Sequence, residues 1–444
     1  MTAHAARRAA LLAQMAPGGV AVLATAPEVT RNSDCDYPYR HDSYFYYLSG
    51  FGEPESVLVL VAGGARGPAR SILFCREKNS ERKIWDGFRH GPDAARLACG
   101  VDAAFAIDEL DAQMGKLLAD APALYYAHGG SAELDARVKL WLGDVKRQAR
   151  SGVTAPAVVH NVLGLLDEMR LFKDDGEQAT MRRACAISGQ AHARAMRATR
   201  PGMREYAIEA ELLYEFRRNG AQFPAYSPIV AAGANACVLH YHANNALVRD
   251  GELVLIDAGC ELDGYAADIT RTYPANGRFS APQRQLYELV LAAQAAALDA
   301  VRPGQRYQAI HAAALAVLAQ GMLDLGLLDR DKAGNADDVI ANQSYLQFYM
   351  HGTGHWLGMD VHDVGAYRET AREGKPWRPL QPGMTLTVEP GLYVRPAAGV
   401  PEAFWHTGIR IEDDVLVTAD GHAVLSGEAP KSVAAIEQLM QENA

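Results

Sequence analysis

The strongest constraint on how this chain can fold is that part of it is written twice. Arg200-Pro201-Gly202, then Arg204 and Ala207-Ile208, recur as Arg302-Pro303-Gly304, Arg306 and Ala309-Ile310. Each copy follows one helical pattern and precedes another. A second echo comes after each: Gly251 precedes the apolar run 253–256, Asp257 and Gly259, while Gly383 precedes 386–388, Glu389 and Gly391. The spacing from glycine to acid to glycine is the same in both. Two matches in the same order imply a duplicated helix-turn-helix plus hairpin, with the acids at equivalent strand ends. A site built on those acids would lie on a pseudo-twofold axis.

At 444 residues the chain exceeds one ordinary core and suits two domains. Before the repeat, short apolar runs at 20–24, 56–62 and 71–75 alternate with helical stretches at 108–118 and 132–145, an α/β pattern. The sequence turns polar at Lys173, Asp174, Asp175 and Gly176, and 177–199 then reads as a long helix ended by Pro201-Gly202. We therefore expect an α/β domain over 1–172 and an α+β domain with the internal repeat over 173–444.

A net charge of -10 would repel phosphate backbones, which argues against nucleic acid. No apolar run approaches the roughly 18–20 residues needed to cross a bilayer, so no membrane partner is expected. Arg7-Arg8 and the short run after them lack a cleavage pattern and read as an amphipathic surface helix with Leu11, Leu12 and Met15, not an export signal. The six cysteines are scattered without a C-x-x-C pair, which disfavours a zinc ribbon or a disulfide framework and fits a reducing cytoplasm.

Four segments carry chemistry. The apolar run 253–256 leads straight into Asp257, turns through Gly259 and Asp263-Gly264, and returns to Asp268, so that two carboxylates face one another across a hairpin. Burying them requires a positive partner, and Arg271 is the one cation close by in sequence. Between His351 and Gly365, His351, His355 and His362 fall among four glycines. Gly352 and Gly354 oppose a helix, and no H-E-x-x-H is present, so an irregular loop whose backbone comes close to ligands is expected. Glu389, followed by Pro390, and Glu412, in Arg410-x-Glu412, each sit on apolar strands; Arg410 and Glu412 would share a face, where a structural ion pair is the plain alternative. Asp257, Asp268, Glu389, Glu412 and a histidine form an oxygen-rich set for divalent metal. One ion would leave four carboxylates strongly anionic, whereas two would offset them, and a water shared by two ions would lose a proton near neutral pH and attack a carbonyl.

These segments resemble the ligand motifs of the pita-bread metallopeptidases, the group of methionine aminopeptidase, prolidase, creatinase and aminopeptidase P, over nearly the whole chain. The resemblance implies that Asp257, Asp268, His355, Glu389 and Glu412 bind two metal ions, with manganese the family expectation. It makes Glu389 the proton acceptor for the nucleophilic water. It places His240, preferred to nearby His242, and His362 on the substrate carbonyl, His351 in the pocket wall, and Arg410 behind the carboxylates. The segments around Asn32-Ser33-Asp34, 37–40, 45–51 and 52–55 resemble the aminopeptidase P branch, with prolidase next. They bring Asp34 and Trp85 in as substrate-binding residues and, through Trp85, an expected homo-oligomer.

The implied reaction removes the first residue of a peptide ahead of proline. An X-Pro amide has no N–H, so gripping an extended backbone gains little, and a site that polarises the carbonyl and offers the ring an apolar slot avoids that handicap. Tyr226, Tyr393, Trp356 and Val361 are candidate walls. Three rival readings stay open: a prolidase that needs a dipeptide, a metal-free pita-bread binding module, and a creatine-type amidinohydrolase.

Overall fold

The apolar runs before residue 170 build one mixed sheet. A computed structural model describes residues 2–442, and the chain divides into two units, Met1–Met169 and Arg170–Ala444. In the first, six strands lie in the order Ala103–Ala106, Arg70–Cys75, Val57–Val61, Val20–Ala24, Ala123–Tyr126, Val158–Asn161. Val20–Ala24 runs antiparallel to Val57–Val61 and parallel to Ala123–Tyr126. Val57–Val61 is buried at every position, as a central strand covered on both faces must be. Helices Leu110–Leu118 and Ala132–Arg147 supply Met114, Leu118, Val138 and Trp141 to the core that holds Val22, Val59 and Phe74.

Arg7 and Arg8 sit on the helix Ala3–Gln14, but they are buried, not on a surface stripe. Arg8 donates to the carbonyls of Leu48, Cys99 and Gly100 at 2.9, 3.0 and 2.6 Å, at the C-terminal ends of helices Ser43–Ser49 and Gly91–Cys99. Both ends finish on a left-handed glycine, Gly50 or Gly100, and leave orphan carbonyls that a guanidinium satisfies.

The second unit contains the duplication, bond for bond. Helices Asp175–Ala198 and Glu205–Arg218 form one pair, Ala281–Asp299 and Gln308–Asp324 the other. In the first copy Gly202 N donates to Val248 O and Glu205 N to Ala246 O; in the second Gly304 N donates to Leu380 O and Tyr307 N to Arg378 O. Gly202 and Gly304 both hold positive φ, 93° and 84°, which explains why the Pro-Gly is retained in each copy. Leu253–Asp257 pairs antiparallel with Thr270–Pro274, and Thr385–Val388 with Asp413–Val417, so each copy delivers acids at one end of a two-strand ladder. The copies are joined where Glu412 N donates to Thr270 O at 3.1 Å and Thr272 Oγ1 donates to Arg410 O at 3.0 Å. Among the described residues no helix is long and apolar enough to cross a membrane.

Candidate metal centre

Five predicted metal-binding residues and five predicted catalytic ones, Glu389 counted in both, line a single cleft of about 230 Å³ in the second unit. They are Asp257, Asp268, His355, Glu389 and Glu412, with His240, His351, His362 and Arg410. His240 lines this cleft, whereas His242 does not, and the two rings stand 6.4 Å apart. The segment 351–363 is an irregular loop, as its glycines require.

The two hairpin acids are bridged. The Tyr226 hydroxyl lies 2.5 Å from Asp257 Oδ1 and 2.6 Å from Asp268 Oδ1. Arg410 Nη2 donates to Asp257 Oδ2 at 2.6 Å, and the Thr270 hydroxyl to Glu412 Oε2 at 2.6 Å. Ligand oxygens or nitrogens of Asp268, His355 and Glu412 all come within 4.8 Å of one another, a spacing one ion could span.

Electrostatics show what the cluster lacks. Burial raises the Asp257 carboxyl, and neighbouring Asp268 adds to this against Arg410. Burial, with the charges of Asp268, Glu389 and Asp257, raises Glu412 well above the usual carboxylate range. Burial pushes Glu389 up to about 7, against the pull of His355 and Arg410. Burial disfavours a charged His355, but its contact with Asp268, at 3.3 Å, and the Asp268 and Glu389 charges outweigh it and raise it to about 9. Four acids therefore compete for one arginine and one imidazolium, which is the donor chemistry of a divalent cation site. His355 is oriented for ligation: Nδ1 donates to Trp356 O at 3.0 Å, which turns Nε2 to the carboxylates.

His351 has no free nitrogen. Its Nδ1 donates to Gly352 O at 2.7 Å, and Nε2 meets the Tyr393 hydroxyl at 2.8 Å, which in turn accepts from Arg410 Nη1 at 2.9 Å. Burial and the facing Arg410 lower His351 to about 3, so it is a neutral wall residue.

Several side chains make contacts that the sequence did not indicate. Tyr393 is fully buried and links Arg410 to His351, so it is no open wall for a proline ring. Tyr226 spends its hydroxyl on the carboxylates. Trp356 is core, stacked on Tyr367 at 5.3 Å. Arg410 pairs with Asp257, at the end of strand Leu253–Asp257, and not with Glu412 two residues on. Arg271 turns away from the hairpin acids and pairs with Asp413 at 2.7 Å. Two loop glycines make room for the protein itself, since a Cβ on Gly354 would collide with Thr387 O and one on Gly358 with the Asp363 carboxylate, while Gly352 and Gly354 also line the cleft. Asp34 and Trp85 belong to the first unit, where both are exposed, Trp85 to 83%.

Thr270 and the paired Asp413 and Asp414 escaped the sequence reading. Thr270 lies two residues beyond Asp268, and strand alternation could have placed it on the same face. Asp413 is neutralised by Arg271 and by Lys431 Nζ at 2.6 Å, while Asp414 accepts from Asp268 N at 3.0 Å and fixes that ligand's backbone.

Residues 179–419 match the model of metallopeptidase family M24, and residues 4–125 that of the aminopeptidase P N-terminal domain. The chain belongs to metallopeptidase family M24, in its Xaa-Pro aminopeptidase group. It is 45% identical to the Xaa-Pro aminopeptidase of Escherichia coli K12 over 98% of this chain and 96% of that one. It is 36% identical to human Xaa-Pro aminopeptidase 3 over 95% of this chain and 80% of the relative. Among solved structures, aminopeptidase PepP of Pseudomonas aeruginosa superposes with a TM-score of 0.95 at 48% identity, covering 99% of this chain and 98% of that one. Zinc-substituted E. coli aminopeptidase P in complex with product also gives 0.95, at 44% identity, covering 100% and 98%.

Proposed function

We propose that this chain is a dinuclear metal aminopeptidase that hydrolyses the bond between an N-terminal residue and a following proline. The observation that carries the reading is the convergence of five ligand-type side chains from both repeat copies on one cleft with His240 and His362. Asp257, Asp268, His355, Glu389 and Glu412 would hold two divalent ions, manganese first among them. When bound, such ions acidify water and polarise a carbonyl.

The chain's own residues then divide the work. Glu389, at the cleft beside His240 and His362, is placed to take a proton from the attacking water and return it to the leaving proline nitrogen. His240 and His362 stand at the cleft wall, where an imidazole N–H can hydrogen-bond the carbonyl oxygen as it gains charge. Arg410, tied to Asp257, Thr270 and Tyr393, keeps the carboxylate and the neutral His351 in place. Because proline offers no N–H, nothing in this scheme relies on one.

Similarity over almost the full length to Xaa-Pro aminopeptidases favours longer peptides over the dipeptides of a prolidase. The retained ligand set opposes a metal-free binding module. The exposed Ile84, Trp85 and Phe88 offer an apolar face for a second copy, and the cytoplasm is the proposed compartment. Hydrolysis of an Xaa-Pro-Yaa tripeptide with release of the first residue, abolished by chelation and restored by manganese, is the expected result. Preference for the Xaa-Pro dipeptide would make the enzyme a prolidase, and a purified protein without metal or hydrolysis would support the binding module.

A further inference from the structure

On the other side of the segment 351–354 lies a second cavity, of about 760 Å³. Its walls include Tyr307, Tyr345, Leu346, Met350, Tyr367 and Trp377. Its size falls in the range of pockets that enclose a small ligand, roughly 300–1,000 Å³. His351, Gly352 and Gly354 line both this cavity and the metal cleft, so the two concavities share one wall.

That wall is built to stand still and to present little polarity. The Thr353 hydroxyl is engaged by His311 Nδ1 at 2.8 Å and the Tyr349 hydroxyl at 2.6 Å. The Tyr307 hydroxyl donates to Gly354 O at 2.6 Å. Tyr307 itself packs against Trp356, Tyr367 and Trp377, with ring centroids 4.9, 4.9 and 6.0 Å away. Leu346 lines the cavity and is 42% exposed, so its side chain is reachable from solvent at the rim. Gly352 is exposed, and a Cβ added there would meet only Gly354 O at 4.0 Å, so the top of the wall is open to a passing chain.

We infer that this aromatic cavity is a specificity subsite that receives an apolar or aromatic side chain of the substrate downstream of its proline. The inference rests on the peptidase reading above. The four residues of the wall are joined by three Cα–Cα steps and span at most about 11 Å, the reach of about three extended residues beyond the scissile bond. A peptide whose scissile bond lies in the metal cleft therefore brings its third or fourth residue to the cavity. A hydrophobic side chain in such a pocket typically discriminates by about 10–200-fold in kcat/KM.

The test is a set of peptides Xaa-Pro-Gly-Gly in which the third or the fourth residue is replaced by Phe or Asp. For the wild-type enzyme, Phe at one of these positions should raise kcat/KM about tenfold or more over Gly, and Asp should not. Leu346→Asp, on an exposed 3-10 turn outside the core, should bring the Phe-to-Gly ratio down to about twofold or less. Leu97→Asp, an exposed leucine of the first unit, should leave that ratio as in the wild type. Hydrolysis of all peptides at equal rates, or a Phe preference that survives Leu346→Asp, overturns the subsite alone. Failure to cleave any member overturns the peptidase reading and the subsite with it.

Discussion

Gly354→Ala should loosen the metal centre through a single methyl group. The segment 353–355 is zipped to strand Thr385–Val388 and the residue beyond it. Thr387 N donates to His355 O at 2.9 Å, His355 N to Thr387 Oγ1 at 3.1 Å, and Glu389 N to Thr353 O at 2.8 Å. Two predicted ligands, His355 and Glu389, thus depend on one ladder. A Cβ on Gly354 would point into Thr387 O and lie 2.9 Å from Thr387 C, both backbone atoms that cannot rotate away. Restoring a contact distance near 3.5 Å to that oxygen requires the loop or the strand to give by about 1.5 Å. Overpacking of this kind costs about 1–3 kcal/mol of stability. Disturbing the support of a metal ligand costs about 10–100-fold in affinity. Titration calorimetry of chelated protein with manganese, together with the thermal midpoint, measures both. A variant whose metal affinity stays within about twofold of wild type would refute the reasoning that this ladder positions the ligands.

Three further outcomes follow from the same geometry. In chelated protein, Glu389→Gln should raise stability at pH 8 but not near pH 4.5. Burial raises the folded-state carboxyl to about 7, above its ordinary 4.5, so the folded protein holds the extra proton between those values and loses stability as pH climbs through them. Denaturant titration at the two pH values should show a gain on the order of 1–3 kcal/mol at the higher one, and equal effects at both would contradict the assignment. Arg410→Lys cannot reproduce the fork that reaches Asp257, Thr270 and Tyr393 together, and should lower kcat/KM by about 10–100-fold; wild-type kinetics would deny Arg410 its positioning role. Arg8→Ala strands three carbonyls in the first unit and should destabilise it by about 2–3 kcal/mol, read as an earlier thermal transition; an unshifted one would count against the helix-end account.

The duplication was legible because it is carried by backbone requirements. A positive φ at Gly202 and Gly304 admits few other residues, so the motif is visible in both copies. The ligands were legible because acids on apolar strands are costly to bury without a cation, and that conflict can be read from Asp257 or Glu389 directly. What surrounds them was not. Arg271 lies three residues from Asp268 yet serves Asp413, 142 positions further along the chain, because strand alternation sends its side chain to the opposite face. Tyr393 and Trp356 read equally well as pocket walls or as core, since residue type sets how apolar a group is and tertiary packing sets where it points. Arg7 and Arg8 misled for the same reason: their partners are carbonyls at the ends of other helices.

The central claim is that the acids of both repeat copies are held together by a pair of cations. Anomalous diffraction at the manganese edge from crystals grown with that metal tests it most directly. The account predicts two peaks per chain among Asp257, Asp268, His355, Glu389 and Glu412. A single peak, or none with these side chains turned apart, would contradict it.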